Sequence, residues 1–468
     1  MSMTTQMFRG KVRKVHFIGI GGIGMSGIAE VLLELGFEVS GSDQKESDSV
    51  LRLRAKGAYI ALGHSKENVE GASVVVRSTA VGPKNVEVIA ALLAGVPVIP
   101  RAEMLGELMR LKHGVAIAGT HGKTTTTSLV STVLNHAQLD PTVVIGGKVN
   151  QLGSNAKLGH GEYMVAEADE SDGSFLKLNP AIAVVTNLEL EHVDYWTGGL
   201  NQLRDAFIKF LNRLPFYGLS VLCTDDANVQ SLIPKLTRRF VTYGFSRQAD
   251  FHAYDLRQEG LMTSFCLRVR GEEKGRIEIG LVGKHNVQNA LASIAIADEL
   301  SVKAHVAGEA LKSFEGVQRR FTLRGEAGGV TVVDDYGHHP TEIRATLDGA
   351  RASFPGRRIV TLFQPHRYSR TQALLGDFAQ AFNNADLVVL TDVYAAGEEA
   401  IAGADAKALG DAIRNHGHRN VHTSTTLESA IAETLSLLKN GDVLLTLGAG
   451  NVTIAGLAIV ESLEAKST

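Results

Sequence analysis

The chain is short of cysteine, proline, aromatic residues and net charge. It has only two cysteines in 468 residues, Cys223 and Cys266. They could pair, but two thiols make no disulfide framework and fit a reducing, cytoplasmic compartment. The formal net charge is −3, which gives no global footprint for nucleic acid or an anionic membrane surface. No apolar run approaches the ~20 residues of a membrane span, so membrane insertion is not expected. The opening residues, MSMTTQMFRGKVRK, lack the apolar stretch of a secretory signal. Short-period repeats and low-complexity segments are also missing. What is plentiful is glycine, 49 residues against 10 prolines, as many tight strand-to-helix turns would require. An apolar fraction of 44% and a charged fraction of 21% are ordinary for globular cores. The length suggests about three domains.

Strand-like and helix-like segments alternate along the chain, which predicts an α/β fold with parallel sheets covered on both faces. The first unit, residues 1–111, reads as KVRKVHFIGI (strand), a helix over 24–35, the strands EVSGSD and ASVVVRS, then PVIP before a short helix. The second, 112–321, has GVAIAGT, YMVAEAD and AIAVVTN as buried-type strands. FHAYDL, TSFCLRVR and RIEIGLVG look like extra antiparallel strands, and a helix over NVQNALASIAIADEL follows. The third, 322–468, is again doubly wound, with strands VTVVDDY, RRIVTLFQ, ADLVVLTDV and DVLLTLGAG. The expected architecture is therefore three α/β units, the central one with extra antiparallel strands.

Two glycine turns carry the first chemistry. Gly19-Ile20-Gly21-Gly22-Ile23-Gly24 is a strict G-x-G-x-x-G between a strand and a helix, and Asp43 ends the next strand, where an acidic ribose ligand belongs. Glycines that let backbone approach a pyrophosphate suit any nucleotide diphosphate, so this turn does not choose NAD over a UDP-sugar. The second turn is Gly119-Thr120-His121-Gly122-Lys123-Thr124, a shortened relative of the G-x-x-x-x-G-K-[ST] loop with Ile117 in place of its first glycine. Its amides would cradle phosphates, Lys123 would reach the β/γ oxygens, Thr124 would meet Mg²⁺, and Thr125 could also touch ligand. Two phosphate loops suggest two nucleotides, with ATP consumed to activate something attached to the other.

Strand ends supply the remaining candidates. EADESD and TNLELEHVDYW offer Glu167 and His192 as ligands of a divalent ion, with Asp169, Glu170 and Asp172 competing for the first role and Glu189, Glu191 and Asp194 flanking the second. In the last unit DDYGHHP (Asp334 to Pro340) and FQPHRYSR (with His366, Arg367, Tyr368 and Arg370) end consecutive strands. A histidine beside two arginines suits a carboxylate or a transferring phosphoryl group.

The segments GIGGIGMSG, AGTHGKTTTTS, AEADESDGSF, TNLELEHVDYW, HNVQNALA, RRF, DDYGHHPTEI and FQPHRYSRT resemble, in order, the motifs of the ATP-dependent Mur ligases of peptidoglycan synthesis, over about residues 12 to 455. The resemblance is nearest to the members that add the first amino acid. It implies three domains, an N-terminal Rossmann-like domain, a central P-loop ATPase-type α/β domain and a C-terminal Rossmann-like domain, with UDP-N-acetylmuramate and L-alanine as substrates and ATP and Mg²⁺ (or Mn²⁺) required. It implies that Gly21, Gly22, Ile23, Gly24, Met25, Ser26 and Asp43 hold the UDP part, helped by Ser78, Thr79, Ala80, Val81 and Arg101. Gly119 to Thr125 would hold the ATP phosphates, Thr124, Glu167 and His192 the metal, and Asn286 and Asn289 the adenine. Arg320 and Asp335 would close over the nucleotide. Tyr336, His338, His366, Arg367, Tyr368 and Arg370 would line the amino-acid end. Later-acting members carry a carbamylated lysine. Lys209 lies in the corresponding region, but its surroundings do not resemble theirs and it is not assigned that role.

The implied chemistry is carboxylate activation. The lactyl carboxylate attacks the γ-phosphorus to give an acyl phosphate, and the alanine amine then displaces phosphate. Lys123 and the metal must neutralise two approaching anions. His338 or His366, with an imidazole that ordinarily titrates near pH ~6.5, could take the amine proton, and Arg367 would steady the charge. Two rivals stay open: a recycling ligase that attaches a tripeptide to the same UDP-sugar, and an NAD(P)-dependent oxidoreductase, which leaves AGTHGKTTTT unexplained. The sequence does not give the oligomeric state.

Overall fold

The computed structural model describes residues 12–78, 80–145 and 156–467. These residues build three sheets, in the α/β class the alternation predicts. The first contains β1 (Lys14–Ile18), β2 (Glu38–Asp43), β3 (Tyr59–Leu62), β4 (Val74–Arg77) and β5 (Val98–Pro100) in the order β3-β2-β1-β4-β5. All its pairings are parallel, with His16 opposite Ser40 in the β1–β2 register. The helix Ile23–Glu34 follows β1 and buries Met25, Ile28, Ala29 and Leu32, the i, i+3, i+4, i+7 stripe that seats a helix on a sheet. Strand order reverses between β1 and β4, and ligands of such sheets bind at the carboxyl ends beside that reversal.

The second sheet has ten strands: β6 (His113–Ala118), β7 (Thr142–Val144), β8 (Ala156–Lys157), β9 (Tyr163–Glu167), β10 (Ile182–Val185), β11 (Leu219–Cys223), β12 (Phe240–Gly244), β13 (Phe251–Glu259), β14 (Met262–Val269) and β15 (Glu272–Ile279), in the order β15-β14-β13-β12-β11-β10-β6-β9-β7-β8. Its centre is parallel, and β10 and β11 are fully buried runs, as strands covered on both faces should be. Two-residue turns join β13 to β14 and β14 to β15, which only antiparallel neighbours allow.

The third sheet, β16 (Thr322–Ala327), β17 (Val330–Asp335), β18 (Ile359–Phe363), β19 (Leu387–Leu390), β20 (Val421–Thr423) and β21 (Val443–Leu447), runs β16-β17-β21-β18-β19-β20. It is parallel except for the edge strand β16, which pairs antiparallel with β17.

By density of contacts the chain forms two compact units. One comprises the residues up to Asp255 with Phe265–Ile277 and Gln288–Glu315, and so holds the first sheet and most of the second. The other comprises Leu256–Ser264, Glu278–Val287 and the residues from Gly316 onward. Cys223 and Cys266 are both free, and burial pushes the Cys223 thiol up to about 12, which makes it inert. Among the described residues no helix is long and apolar enough to cross a membrane.

Candidate active site

The first glycine turn is anchored from below. The Ser42 carbonyl, near the end of β2, receives Gly19 N–H at 2.8 Å and Ile20 N–H at 3.1 Å. Asp43 Oδ2 receives Gly21 N–H at 2.8 Å, and Oδ1 receives Lys45 N–H at 3.3 Å. The carboxylate expected to meet a ribose is thus bonded to the turn it sits beside. A Cβ on Gly21 would lie 2.9 Å from Asp43 Oδ2, and one on Gly24 3.0 Å from Arg101 Nη1, so glycine is required for this close packing. Ser26 is buried and bonds the Ile23 carbonyl. In the loop after β4, Val81 N–H donates to the Ser78 carbonyl and Arg77 to the Val81 carbonyl, while Ala80 is exposed. Thr79 lies outside the described residues.

The second glycine turn is held by the end of β10. Thr120 N–H donates to the Asn187 carbonyl and His121 N–H to Asn187 Oδ1, and the Thr186 hydroxyl returns a 2.6 Å bond to the His121 carbonyl. His121 Nε2 is 3.3 Å from a Glu189 oxygen. Gly119 (φ +120°) and Gly122 (φ +80°) adopt backbone that side chains disfavour. A Cβ at the first would stand 2.2 Å from the Thr186 hydroxyl, and one at the second 2.7 Å from Asn289 Oδ1. Asn289, expected at adenine, is buried and receives the Thr126 hydroxyl at 3.1 Å. Lys123 opens the helix Lys123–His136, whose first amides and positive end suit phosphate oxygens. Thr124 is half-buried and Thr125 buried on that first turn.

Lys123 Nζ donates to the carbonyls of Gly119 (2.6 Å) and Thr120 (3.0 Å) and to Glu170 Oε2 (2.8 Å). Burial disfavours its ammonium, but the carboxylates of Glu170, Asp169 and Glu167 outweigh burial and raise its pKa. Asp169 is held below its ordinary range, burial being overcome chiefly by Lys123, while burial beside Asp169 pushes Glu170 up. Three carboxylates therefore face the Lys123 ammonium, and Arg101 adds positive charge 4.0 Å from Asp169. That surplus of oxygen donors fits a hard divalent cation, and the amide-lined turn fits a polyphosphate. Of the competing acids it is Glu170 that pairs with Lys123. Neither that pairing nor the role of Asn187 is readable from spacing, although both residues lie in the motifs AEADESDGSF and TNLELEHVDYW.

Both turns open on one cavity of ≈ 420 Å³ within the first compact unit. Gly22, Ile23, Gly24, Met25, Ser78 and Arg101 line it together with Lys123, Glu167 and Asp169. His192, the other expected metal ligand, follows β10 with a left-handed φ of +53° and its Nε2 3.7 Å from Glu191; it is not among the residues lining that cavity.

The second unit gathers the remaining candidates at the ends of β17 and β18. Asp335 accepts Phe321 N–H (2.8 Å), Gly337 N–H (2.7 Å) and the Thr346 hydroxyl (3.2 Å), so it braces the turn it belongs to; burial raises its pKa. Arg320 lies 5.3 Å over the Tyr336 ring and 3.7 Å from Glu342. Asn286 is buried and donates to the Val282 carbonyl. Arg367 takes a left-handed φ of +71° just before the helix Tyr368–Ala373 and is 4.0 Å from Glu398.

The two histidine rings lie 5.8 Å apart but differ in chemistry. Arg370 has only protons to give, and its Nη1 is 3.3 Å from His366 Nδ1, so that nitrogen accepts and the ring's proton sits on Nε2. Burial, then the charges of His338, Arg370 and Arg367, lower the His366 pKa to about 4. This corrects the expectation of an ordinary imidazole base at that position: near neutral pH His366 is an uncharged donor. His338 is the reverse. Its Nδ1 faces the Tyr336 carbonyl at 3.1 Å and must carry a hydrogen, so in the neutral ring the accepting lone pair is on Nε2. Tyr394, which sequence reasoning missed, stacks on His366 at 5.6 Å and 9°.

A nucleotide-diphosphate turn and a lysine-bearing phosphate loop on one cavity, with surplus carboxylates between them, define an ATP-using enzyme that acts on a nucleotide-linked substrate. Models of the Mur ligase family match almost end to end: the catalytic domain over residues 14–113, the middle domain over 117–297 and the glutamate ligase domain over 319–450. The chain belongs to the Mur ligase family. It is 55% identical to the UDP-N-acetylmuramate–L-alanine ligase of Geobacter sulfurreducens, over 97% of this chain and 98% of that one. It is 58% identical to the enzyme of the same name from Anaeromyxobacter sp. strain Fw109-5, over 98% and 100%. The crystal structure of the Thermotoga maritima UDP-N-acetylmuramate–alanine ligase superposes with a TM-score of 0.80 at 30% identity, covering 97% of this chain and 99% of that one. A murein peptide ligase from Psychrobacter arcticus shares the fold with a TM-score of 0.69 at 24% identity, covering 97% and 99%.

Proposed function

We propose that this chain joins L-alanine to the lactyl carboxylate of UDP-N-acetylmuramate, converting ATP to ADP and phosphate, in peptidoglycan precursor synthesis. The observation that carries the reading is the shared cavity, which is lined by Gly22–Met25, Ser78 and Arg101 as well as by Lys123, Glu167 and Asp169. A carboxylate held by the first group and a γ-phosphate held by the second can meet there. Six relatives 53–58% identical over 97% of the chain or more all bear the name UDP-N-acetylmuramate–L-alanine ligase, which supports alanine over a tripeptide as the acceptor.

In this reading the Gly21–Ser26 amides and Arg101 grip the UDP-sugar, while Asp43 fixes their geometry from beneath. Lys123 exchanges its bonds to the loop carbonyls for phosphate oxygens and offsets the charge of two converging anions. Thr124 and Glu167, with His192 as a further ligand, would hold Mg²⁺, which supplies Lewis acidity and neutralises phosphate charge. Arg367 and Arg370 bind the alanine carboxylate. His338, through Nε2, accepts the amine proton as nitrogen attacks the acyl carbonyl and phosphate departs; His366 donates from Nε2 to orient the acceptor. Release of phosphate from ATP by the purified protein tests the reading: it should require both UDP-N-acetylmuramate and L-alanine. Release with the L-Ala-γ-D-Glu-diaminopimelate tripeptide but not with alanine would move the chain to the recycling branch.

A further inference from the structure

Behind the first glycine turn lies a buried polar cluster that none of these steps uses. Glu87 sits in the first turn of the helix Val86–Leu93 and is wholly buried. Its Oε1 receives Asn68 Nδ2 at 2.5 Å and Ser65 N–H at 3.3 Å. Its Oε2 receives the Ser42 hydroxyl at 2.6 Å, with His64 Nδ1 at 3.4 Å and His16 Nε2 at 3.6 Å. Burial alone would push this carboxyl up; His16, Ser42 and Asn68 overcome it and hold the group at about 2, so it stays ionised.

An ionised carboxylate with no access to water is costly to place, and an apolar side chain would pack a domain core with less penalty. What this one does is tie loops together. It joins the start of the helix after β4 to the loop after β3, through Ser65 and Asn68, and to the end of β2, through Ser42. Ser42 is also the residue whose carbonyl receives Gly19 and Ile20 N–H, and its neighbour Asp43 receives Gly21 N–H. Glu87 is therefore one residue removed from the backbone of the turn that faces the cavity, and Ser78, on the loop leading into the Glu87 helix, lines the same cavity.

We propose that Glu87 is a positioning residue for the UDP-sugar: through Ser42 it sets the amides of the glycine turn, and through its own helix it sets the loop that begins at Ser78. The inference rests on reading that turn as the grip for a nucleotide diphosphate. Glu87→Gln preserves shape but turns an NH₂ toward one of two sets of donors. It should raise both the Kd of UDP-N-acetylmuramate, measured calorimetrically without ATP, and its KM by about 10-fold. The KM for ATP and kcat at saturation should stay within about twofold. Ser42→Ala removes only the hydroxyl link and should produce a smaller rise with the same selectivity. The double variant should bind no more weakly than Glu87→Gln alone, because the Ser42 hydroxyl acts through its bond to Glu87. Unchanged UDP-sugar affinity in either folded variant, a parallel rise in the KM for ATP, or additive losses would overturn the proposal. Should Glu87→Gln fail to fold, Ser42→Ala alone decides it. Wild-type protein that does not bind UDP-N-acetylmuramate would instead overturn the reading of the turn, and the proposal with it.

Discussion

The two glycine turns differ in what they carry and in what holds them. Gly19–Gly24 is braced by an acid: Asp43 takes the Gly21 amide, and Arg101, a cation beside Gly24, comes from another element. Gly119–Lys123 is braced by neutral groups, Thr186 and Asn187, and carries its own cation amid three carboxylates. A turn that only grips needs fixed amides. A turn that handles a phosphoryl group in transfer needs charge that can be redistributed, and the lysine-to-carboxylate and lysine-to-carbonyl bonds provide it.

That contrast predicts opposite kinetic signatures. The largest effect should come from Lys123→Ala, which should lower kcat by about 10³-fold while leaving the Kd of UDP-N-acetylmuramate unchanged. An equal loss of UDP-sugar binding would erase the distinction between the turns. In the second unit His338→Gln should cost about 10²-fold in kcat, as expected for removal of a general base, whereas His366→Gln should act mainly on the KM for L-alanine. Steady-state kinetics at saturating ATP separate the two. Asp43→Asn should raise the KM for the UDP-sugar by about 10-fold and spare the KM for ATP, the mirror image of Lys123→Ala.

The smallest effect is on stability. His285, through burial and Arg320, and His366 both titrate at about 4 in the folded chain, below an ordinary histidine. Between those values the unfolded chain binds more protons, so stability should be level above pH ~6.5 and fall as the pH drops from there toward 4. His366→Gln should flatten part of that fall in urea melts across this range, and an unaltered slope would place the histidine in solvent.

Much of this was legible because glycine turns sit where strands meet helices. The helix expected over 24–35 runs Ile23–Glu34, and both turns lie at strand ends as the spacing requires. The strands β3, β11 and β12 escaped notice. LSVLC of β11 is a short apolar run without alternation, and a buried strand covered on both faces shows no period to separate it from a helix; β3, four residues at a sheet edge, and β12 are too short to show one. The edge strands β16 and β20 and the short β7 and β8 went unread as well. Among site residues, sequence located Asp43 and Asp335 but not what their carboxylates grasp: Asp43 takes an amide of the neighbouring glycine turn, and Asp335 an amide of its own loop. The spacing that puts an acid at a strand end is the same whether it faces a ribose or a backbone N–H. The tautomers of His338 and His366 were equally hidden, since each is set by a neighbour, a carbonyl in one case and Arg370 in the other.

The account turns on the lactyl carboxylate and the γ-phosphorus reacting in the cavity between the two glycine turns. UDP-N-acetylmuramate labelled with heavy oxygen in its lactyl carboxylate, turned over with ATP and L-alanine, tests this directly by mass spectrometry of the released phosphate. Transfer of a single heavy oxygen atom into each phosphate is the predicted result. Phosphate released without the label, while alanine is being joined, would contradict it.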